Sequence, residues 1–197
     1  MGHSRAEKAQ SRERILAAAA VRVREAGLES LSVGEIMKSV NLTHGGFYGH
    51  FGSRSALVAA AIERALADGE VNSARHTRTG DQVTVKSIVN SYLSPTHRDH
   101  PGTGCAIPLL AAEAGRASPE VRAIMAAQLT KSFAAMEEAV EGSTDAEQVA
   151  VSAWAMMIGA MLMSRVFDGD PRSDQILSLV RKSILELEHL HSAPSSD

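Results

Sequence analysis

The stretch SVGEIMKSVNLTHGGFYGHFGSRSAL, residues 32–57, decides the fold, because it predicts two short helices joined by a tight turn. Ser32 and Glu35 have the S-x-x-E spacing of a capping box, which satisfies the free amide groups at a helix start. Asn41 stands where the chain must reverse, and asparagine tolerates the left-handed backbone that ends many helices. Thr43 is placed to cap the second helix. Two helices joined this closely are typical of the motif that places its second helix in the major groove of DNA.

The predicted second helix, which runs to about Phe51, is poor in helix-forming residues. Gly45, Gly46 and Gly49 each cost about 1 kcal/mol of helix propensity relative to alanine. A backbone without side chains can come close to base edges and thymine methyl groups. The alternative to a DNA-reading helix is an ordinary solvated helix whose aromatic residues face the core. The glycines are surrounded by side chains that can donate hydrogen bonds to phosphate oxygens, namely His44, Tyr48, His50, Ser53 and Arg54.

Residues 12–57 resemble the DNA-binding domain of the tetracycline-repressor (TetR) family of one-component regulators. The chain departs from the common pattern at Asn41, which replaces the usual turn glycine, and at Arg54, which replaces the usual lysine. Both replacements keep the physical role of the position. The shared pieces are R-E-R-I-L-A-A-A at 12–19, the glycine at 27, S-V-x-E-I at 32–36 and T-H-G-G-F-Y-G-H-F at 43–51.

The resemblance implies an all-α homodimer of about nine helices, which binds operator DNA and holds a small-molecule effector. We therefore expect a three-helix helix-turn-helix DNA-binding domain over residues 1–53. A larger helical domain for ligand binding and dimerisation is expected over residues 54–197. By position, the resemblance implies base contacts from His44, Gly45 and Gly46, and phosphate contacts from Ser32, Thr43, Tyr48, His50 and Arg54.

The composition agrees with a helical protein. Of the 197 residues, 44% are hydrophobic but only 4% are aromatic, so alanine, leucine, valine, isoleucine and methionine must build the core. Alanine-rich periodic runs with only six prolines favour helices. A single cysteine cannot form an internal disulfide, which fits a reducing compartment. We find no apolar run long enough to span a bilayer and no apolar signal segment, and we predict a cytoplasmic protein without a membrane partner.

The net charge of −3 is divided unevenly along the chain. Residues 1–64 carry nine lysines and arginines against six acidic residues, whereas the remainder carries eleven against seventeen. The basic share therefore lies at the predicted DNA-reading end, and a dimer doubles it.

Helical periodicity continues through the rest of the chain. Ser118 followed by Pro119 is a cap with proline at the first helical position, which is a firm start signal. Breaks are predicted at 76–82 and 142–144, and the tail HSAPSSD is predicted to be disordered. The helices predicted outside the motif run over about 5–26, 54–77, 82–93, 105–115, 119–141, 145–167 and 172–190.

Soft apolar side chains concentrate between residues 92 and 167. Methionine repacks around varied shapes, so this group suits a pocket for a hydrophobic effector, although ordinary core packing is the alternative. His97, His100 and Glu113 are polar groups that could orient such a ligand. The predicted pocket residues are Tyr92, Cys105, Met125, Phe133, Trp154, Met157 and Met161.

Cys105 precedes an apolar helix, and a thiol at a helix start can become reactive toward oxidants or electrophiles. The alternative is an inert, buried small side chain. His97, His100 and Cys105 do not have a tight zinc spacing and lack a fourth ligand, so we predict no metal and no cofactor. The last two helices are predicted to form a four-helix dimer interface, and the alternative is that their apolar faces are domain core. The residues predicted for this interface are Val149, Ala153, Met156, Ala160, Met163, Ile176, Leu179, Val180, Ile184 and Leu187.

These patterns predict a ligand-responsive DNA-binding regulator, most simply a repressor released from a palindromic operator by its effector. A small-molecule binding protein or activator with the same fold is one alternative. An all-helical enzyme is the other. The sequence shows no nucleophile elbow, paired-carboxylate motif, glycine-rich phosphate loop or strong metal set, so we predict that the chain is not an enzyme.

Overall fold

The computed structural model describes residues 5–77, 83–140 and 145–191, and within these ranges all regular structure is helical. This confirms the all-α prediction. Two short 3₁₀ segments lie at Leu28–Ser30 and His44–Gly49. The α-helices of the described residues are α1 (Arg5–Ala26), α2 (Val33–Ser39), α3 (Arg54–Thr77), α4 (Val85–Tyr92), α5 (Pro95–Asp99), α6 (Ile107–Ala114), α7 (Pro119–Ala139), α8 (Ala146–Val166) and α9 (Arg172–His191).

The chain divides into two compact units that do not follow chain order. The first contains Met1–Gly69 and Cys105–Met125, and the second contains Glu70–Gly104 and Ala126–Asp197. Helix α6 therefore belongs to the same unit as the predicted DNA-binding motif. The predicted boundary after residue 53 divides the chain by function and stays a prediction.

In the first unit, a network of charged side chains fixes α1 to α3. Arg24 is only 5% exposed, and its guanidinium lies 3.3 Å from the Asp68 carboxylate and donates to the Ala65 carbonyl at 3.4 Å. Arg64 reaches the same carboxylate at 2.7 Å and also pairs with Glu13 on α1. A buried guanidinium without a partner is costly, so Asp68 is the residue on which this network depends.

In the second unit, α8 and α9 form a helical hairpin with the most extensive helix-to-helix contact in the described chain. Gly169 has a φ of +75° in the connection between them. The buried Ser173 hydroxyl donates to the Ser164 carbonyl at 2.7 Å, which fixes the hairpin end. The shared interior is built from small and soft side chains, namely Ala153, Met157, Ala160, Met161, Leu177 and Ile184.

Most of the local signals predicted from the sequence act as expected. Asn41 has a φ of +57°, as its place in the turn predicts. The Ser32 hydroxyl accepts from the Glu35 amide at 3.5 Å, and the Ser118 hydroxyl accepts from the Val121 amide at 3.4 Å. The short helix α5 was not predicted, although Ser94 caps it by accepting from the His97 amide at 3.2 Å.

Three predicted features fall wholly or partly outside the described residues. The predicted break at 76–82 overlaps the end of α3, and its residues 78–82 lie outside. The predicted break at 142–144 and residues 192–197 of the predicted disordered tail lie outside as well.

Helix α8 corrects the prediction that the chain has no run long enough to span a bilayer. By length and composition alone, Ala146–Val166 is apolar enough to cross a membrane. A core helix of a helical domain passes the same test, because its inner face is apolar. Helix α8 packs along α9 in this way, with Ala153 and Met157 completely buried.

Candidate nucleic-acid interface

The recognition segment, residues 43–51, follows α2 through a reversal at Asn41. The Leu42 amide donates to the Met37 carbonyl at 2.8 Å, which closes the turn. The segment then forms a 3₁₀ helix at His44–Gly49 rather than the predicted α-helix. Its glycines weaken the α-helical hydrogen-bond ladder, and the tighter i→i+3 bonds replace it, as from the Gly46 amide to the Thr43 carbonyl at 3.0 Å. Thr43 occupies the predicted N-cap position with extended backbone, but its side chain makes no capping bond.

Aromatic side chains hold the recognition segment from the inside. Phe47 is 1% exposed, and its ring stacks with that of Phe51 at a centroid distance of 5.8 Å. The Tyr48 ring meets Phe47 edge-on at 5.3 Å. From α1, the Arg12 guanidinium lies 4.8 Å from the centre of the Phe51 ring, within the range of a cation–π contact. These contacts fix the segment although its own helix propensity is low.

The outer face of the recognition segment is bare. A Cβ atom placed on Gly45 or Gly49 meets no atom within 4 Å, and neither glycine has a positive φ. Neither packing inside the protein nor backbone conformation therefore requires glycine at these two positions. His44 is exposed and Tyr48 is 70% exposed, so polar and aromatic side chains stand beside the bare backbone. This surface can approach another molecule more closely than an ordinary helix face.

The predicted phosphate contacts lie around this surface in different states. Thr43 and Tyr48 are exposed, and His50 is half-buried. The Ser32 hydroxyl already serves as the cap of α2. Arg54 donates from Nε to the Leu31 carbonyl at 3.0 Å and from Nη2 to the Leu28 carbonyl at 3.4 Å. The DNA-contacting roles of all these residues stay predictions.

Sequence reasoning missed three basic side chains close to the recognition segment. Arg12 lies on Phe51, and Arg14 donates to the Val40 carbonyl at 3.4 Å, at the end of α2. Lys38 is exposed in the last turn of α2. The basic excess of residues 1–64 was the available signal, but it did not indicate which cations the fold would bring to the turn.

The predicted pocket residues of the second unit are brought together only in part. The Tyr92 and Trp154 rings meet edge-on at 5.2 Å, and the Trp154 indole donates to the Ser132 carbonyl at 2.9 Å. Phe133 is half-buried on α7. Met157 and Met161 are completely buried, so both contribute to the core of the unit.

Cys105 and Met125 belong to the first unit. Cys105 is half-buried immediately before Ala106, the residue that precedes α6. Met125 is 4% exposed on α7. Both alternatives for the thiol stay open. Within the described ranges, no three His, Cys, Asp or Glu side chains are grouped as a metal site.

The sequence did not predict that His97 packs against Tyr92. The two rings meet edge-on at 4.6 Å, and His97 Nδ1 lies 2.7 Å from the Tyr92 carbonyl. Burial lowers the pKa of His97, the Tyr92 carbonyl opposes this shift, and the positive charge of Arg165 adds to it. His97 is therefore a neutral ring in an aromatic cluster of Tyr92, His97 and Trp154.

A cavity of about 740 Å³ lies away from these predicted pocket residues, along one face of α9. A small-molecule pocket is normally enclosed by several elements, whereas one helix supplies every lining residue here. This groove is therefore part of an outer surface of the hairpin. Its lining residues are Ser178, Arg181, Lys182, Leu185, Glu186, His189 and Leu190.

The helix-turn-helix geometry and the bare recognition segment define a DNA-binding protein. The profile of a family described as bacterial regulatory proteins, tetR family, matches residues 15–61. A second profile, described as the tetracyclin repressor-like C-terminal domain, matches residues 83–180. The chain therefore belongs to the TetR family of transcriptional regulators, which are DNA-binding proteins and not enzymes.

Solved structures share the whole fold. NemR from E. coli, in its reduced form, matches with a TM-score of 0.75 and 22% identity over 95% of this chain and 100% of that one. A TetR regulator from Chloroflexus aurantiacus J-10-FL matches with a TM-score of 0.79 and 22% identity, over 92% of this chain and 97% of that one. A TetR-family regulator from Cytophaga hutchinsonii matches with a TM-score of 0.78 and 19% identity, over 94% of this chain and 98% of that one. A search of curated protein sequences found no match.

Proposed function

We propose that this regulator is a cytoplasmic repressor that binds a palindromic operator as a homodimer and is released by a hydrophobic or electrophilic small molecule. The observation that carries the proposal is the outer face of the recognition segment. Gly45 and Gly49 leave it bare without any demand from the protein's own packing. Glycines that cost stability and serve no internal contact are explained by close approach of DNA.

Sequence reading would come from His44 beside the bare backbone of Gly45 and Gly46. An imidazole can donate to or accept from base edges in the major groove. Phosphate contacts would come from Thr43, Tyr48 and their neighbours in the predicted set, with Arg12, Arg14 and Lys38 as additional cations. Such contacts fix position on the duplex and make the affinity depend on salt.

Homodimer formation is supported by apolar side chains left on the outside of the α8–α9 hairpin. Val149, Ala153, Ala160 and Ile184 from the predicted interface set are buried within the single chain. Met163 and Leu179 from the same predicted set lie on the outside of the hairpin with further apolar residues, and apolar surface of this kind marks contact sites. They are Val151, Leu162, Met163, Val166, Leu179 and Leu190, each at least 38% exposed.

Effector binding would use the second unit, where Tyr92, Phe133 and Trp154 offer aromatic surface and Met157 and Met161 can repack. Met125, the remaining predicted pocket methionine, belongs to the first unit. For an electrophilic effector, the reacting group would be the Cys105 thiolate.

Selection of operators from random duplex DNA with the purified chain tests the proposal. The expected product is a palindrome with two half-sites about one helical turn apart, bound by a dimer seen in light scattering. A reporter carrying that site should be silenced, and candidate effectors should restore expression. A folded protein that enriches no sequence at low salt, or a monomer at micromolar concentration, would contradict the proposal.

A further inference from the structure

We infer that Glu113 of α6 is a positioning residue for DNA binding. It holds one end of the turn at residues 28–31, while Arg54 holds the other end. The inference rests on the proposed function, since it concerns how the recognition segment is kept in place for DNA. All of the residues involved lie in the first compact unit.

The Glu113 carboxylate holds the amide end of the turn. Its Oε2 accepts from the Leu28 amide at 2.6 Å, although the two residues lie far apart in the sequence. Leu28 is 8% exposed and Glu113 is half-buried, so water competes weakly for this bond. A hydrogen bond to a charged carboxylate is roughly twice as strong as a neutral one. Helix α6 is thereby attached to the first residue after α1 and its closing glycine.

Gly27 makes room for this carboxylate. A Cβ atom at Gly27 would lie 2.2 Å from Glu113 Oε1 and 2.9 Å from its carboxyl carbon. Gly27 also has a φ of +78°, which other residues adopt only with strain. The backbone conformation therefore requires glycine at the point where α6 meets the turn, and a side chain there would displace the Glu113 carboxylate.

The Arg54 guanidinium holds the carbonyl end of the same turn. Its Nε donates to the Leu31 carbonyl at 3.0 Å, and its Nη2 donates to the Leu28 carbonyl at 3.4 Å. Leu28 thus gives its amide to an anion and its carbonyl to a cation. Leu31 is 1% exposed and directly precedes Ser32, the cap of α2.

These contacts place the turn between α6 and the two helices that flank the recognition segment. Arg54 is the first residue of α3, and Ser32 starts α2. Loss of Glu113 frees the Leu28 amide and lets the turn shift. That shift changes the starting points of both α2 and α3. Glu113 therefore supports DNA binding without touching DNA.

The test measures operator affinity of Glu113→Ala and Glu113→Gln across a range of salt concentrations, at a temperature where circular dichroism shows every variant folded. We expect Glu113→Ala to weaken binding roughly tenfold with an unchanged salt slope, because no phosphate contact is lost. Glu113→Gln keeps an acceptor, so it should recover part of the affinity. Gly27→Ala should reproduce the loss by displacing the carboxylate. Hydrogen exchange of the Leu28 amide should quicken in Glu113→Ala.

Glu29→Gln is the matched control, because it removes the same charge from an exposed position in the same turn. It should leave affinity and salt slope unchanged. A folded Glu113→Ala protein with wild-type affinity would overturn the inference and leave the proposed function standing. If Glu113→Ala does not fold, Glu113→Gln decides, because its neutral acceptor is weaker than the carboxylate and should still lower affinity and quicken exchange of the Leu28 amide. Wild-type values of both would overturn the inference. A wild-type protein that selects no operator would instead defeat the proposed function, and the inference with it.

Discussion

The recognition segment and the aromatic cluster of Tyr92, His97 and Trp154 are assembled from the sequence in two different ways. The recognition segment is nine consecutive residues, and its site is assembled from neighbours in the sequence. The aromatic cluster comes from α4, α5 and α8, and its tryptophan bonds to the α7 carbonyl of Ser132. A motif therefore revealed the first region, whereas composition indicated only that the second would be apolar.

The two regions also differ in what their residues do for stability. In the recognition segment, Gly45 and Gly49 weaken the local structure, and a Cβ added at either would meet no atom within 4 Å. In the second unit, Met157 and Met161 are completely buried and stabilise the core. Residues that oppose stability without internal benefit are the clearer sign of function, because packing cannot explain them.

The largest effect is expected from Phe47→Ala, which removes the inner support of the recognition segment. Phe47 is 1% exposed, so its truncation should lower the free energy of unfolding by about 3–5 kcal/mol and abolish DNA binding. Urea unfolding and a gel-shift assay measure both. Tyr48→Phe is the control, because Tyr48 is 70% exposed and loss of its hydroxyl should affect DNA binding alone. Equal stability in both variants would show that the segment does not depend on its inner face.

Met157→Ala asks whether the soft apolar side chains are core or pocket. If Met157 is core, its loss should cost about 2–5 kcal/mol in the free energy of unfolding. Met163 is 49% exposed on the same helix, so Met163→Ala should cost far less and weaken the dimer instead. Unfolding curves and light scattering separate the two. A Met157→Ala protein of unchanged stability would favour an open pocket.

The lowered pKa of the half-buried His97 predicts a loss of stability in acid. Its pKa is lowered in the folded state, so the unfolded chain binds a proton first as pH falls below about 6.5. Its contribution is therefore complete above that pH and declines as pH falls toward the lowered folded value. Urea unfolding at pH 7.5 and 5.5 should show a smaller pH dependence in His97→Gln. His100→Gln, at an exposed position, should behave as wild type.

The smallest effect should come from Gly45→Ala and Gly49→Ala, which test the meaning of the bare surface. Each should stabilise the folded protein by about 0.5–1 kcal/mol, because alanine has less freedom in the unfolded chain. Each should nevertheless weaken operator binding. Gly52→Ala is the matched control, because it also adds a Cβ that meets no atom within 4 Å but lies just outside the recognition segment. Unweakened binding in the two segment variants would mean that DNA does not approach there.

Local chemistry explains how much of the fold could be predicted. The end of α1, the start of α3, the reversal at Asn41 and the cap at Ser118 follow from short-range signals, and all are confirmed. Helix α5 begins with Ser94 and Pro95, the same signal as at Ser118, but its five residues are too few to show helical periodicity.

Long-range contacts explain what could not be predicted. Nothing near Arg54 in the sequence indicates that its guanidinium bonds to carbonyls at residues 28 and 31. Likewise, the position of Glu113 in α6 gives no sign that its carboxylate meets the Leu28 amide.

Parallel operator selections with wild type and His44→Ala test most directly whether the recognition segment reads DNA sequence. We predict that wild type yields a palindrome and that His44→Ala changes the preferred base at symmetric positions of each half-site while leaving the others intact. Arg12 is proposed to contact phosphate rather than bases, so Arg12→Ala should lower operator affinity without changing the selected sequence motif. If wild type and His44→Ala are both folded and select identical motifs, the claim that the recognition segment reads DNA sequence through His44 is contradicted.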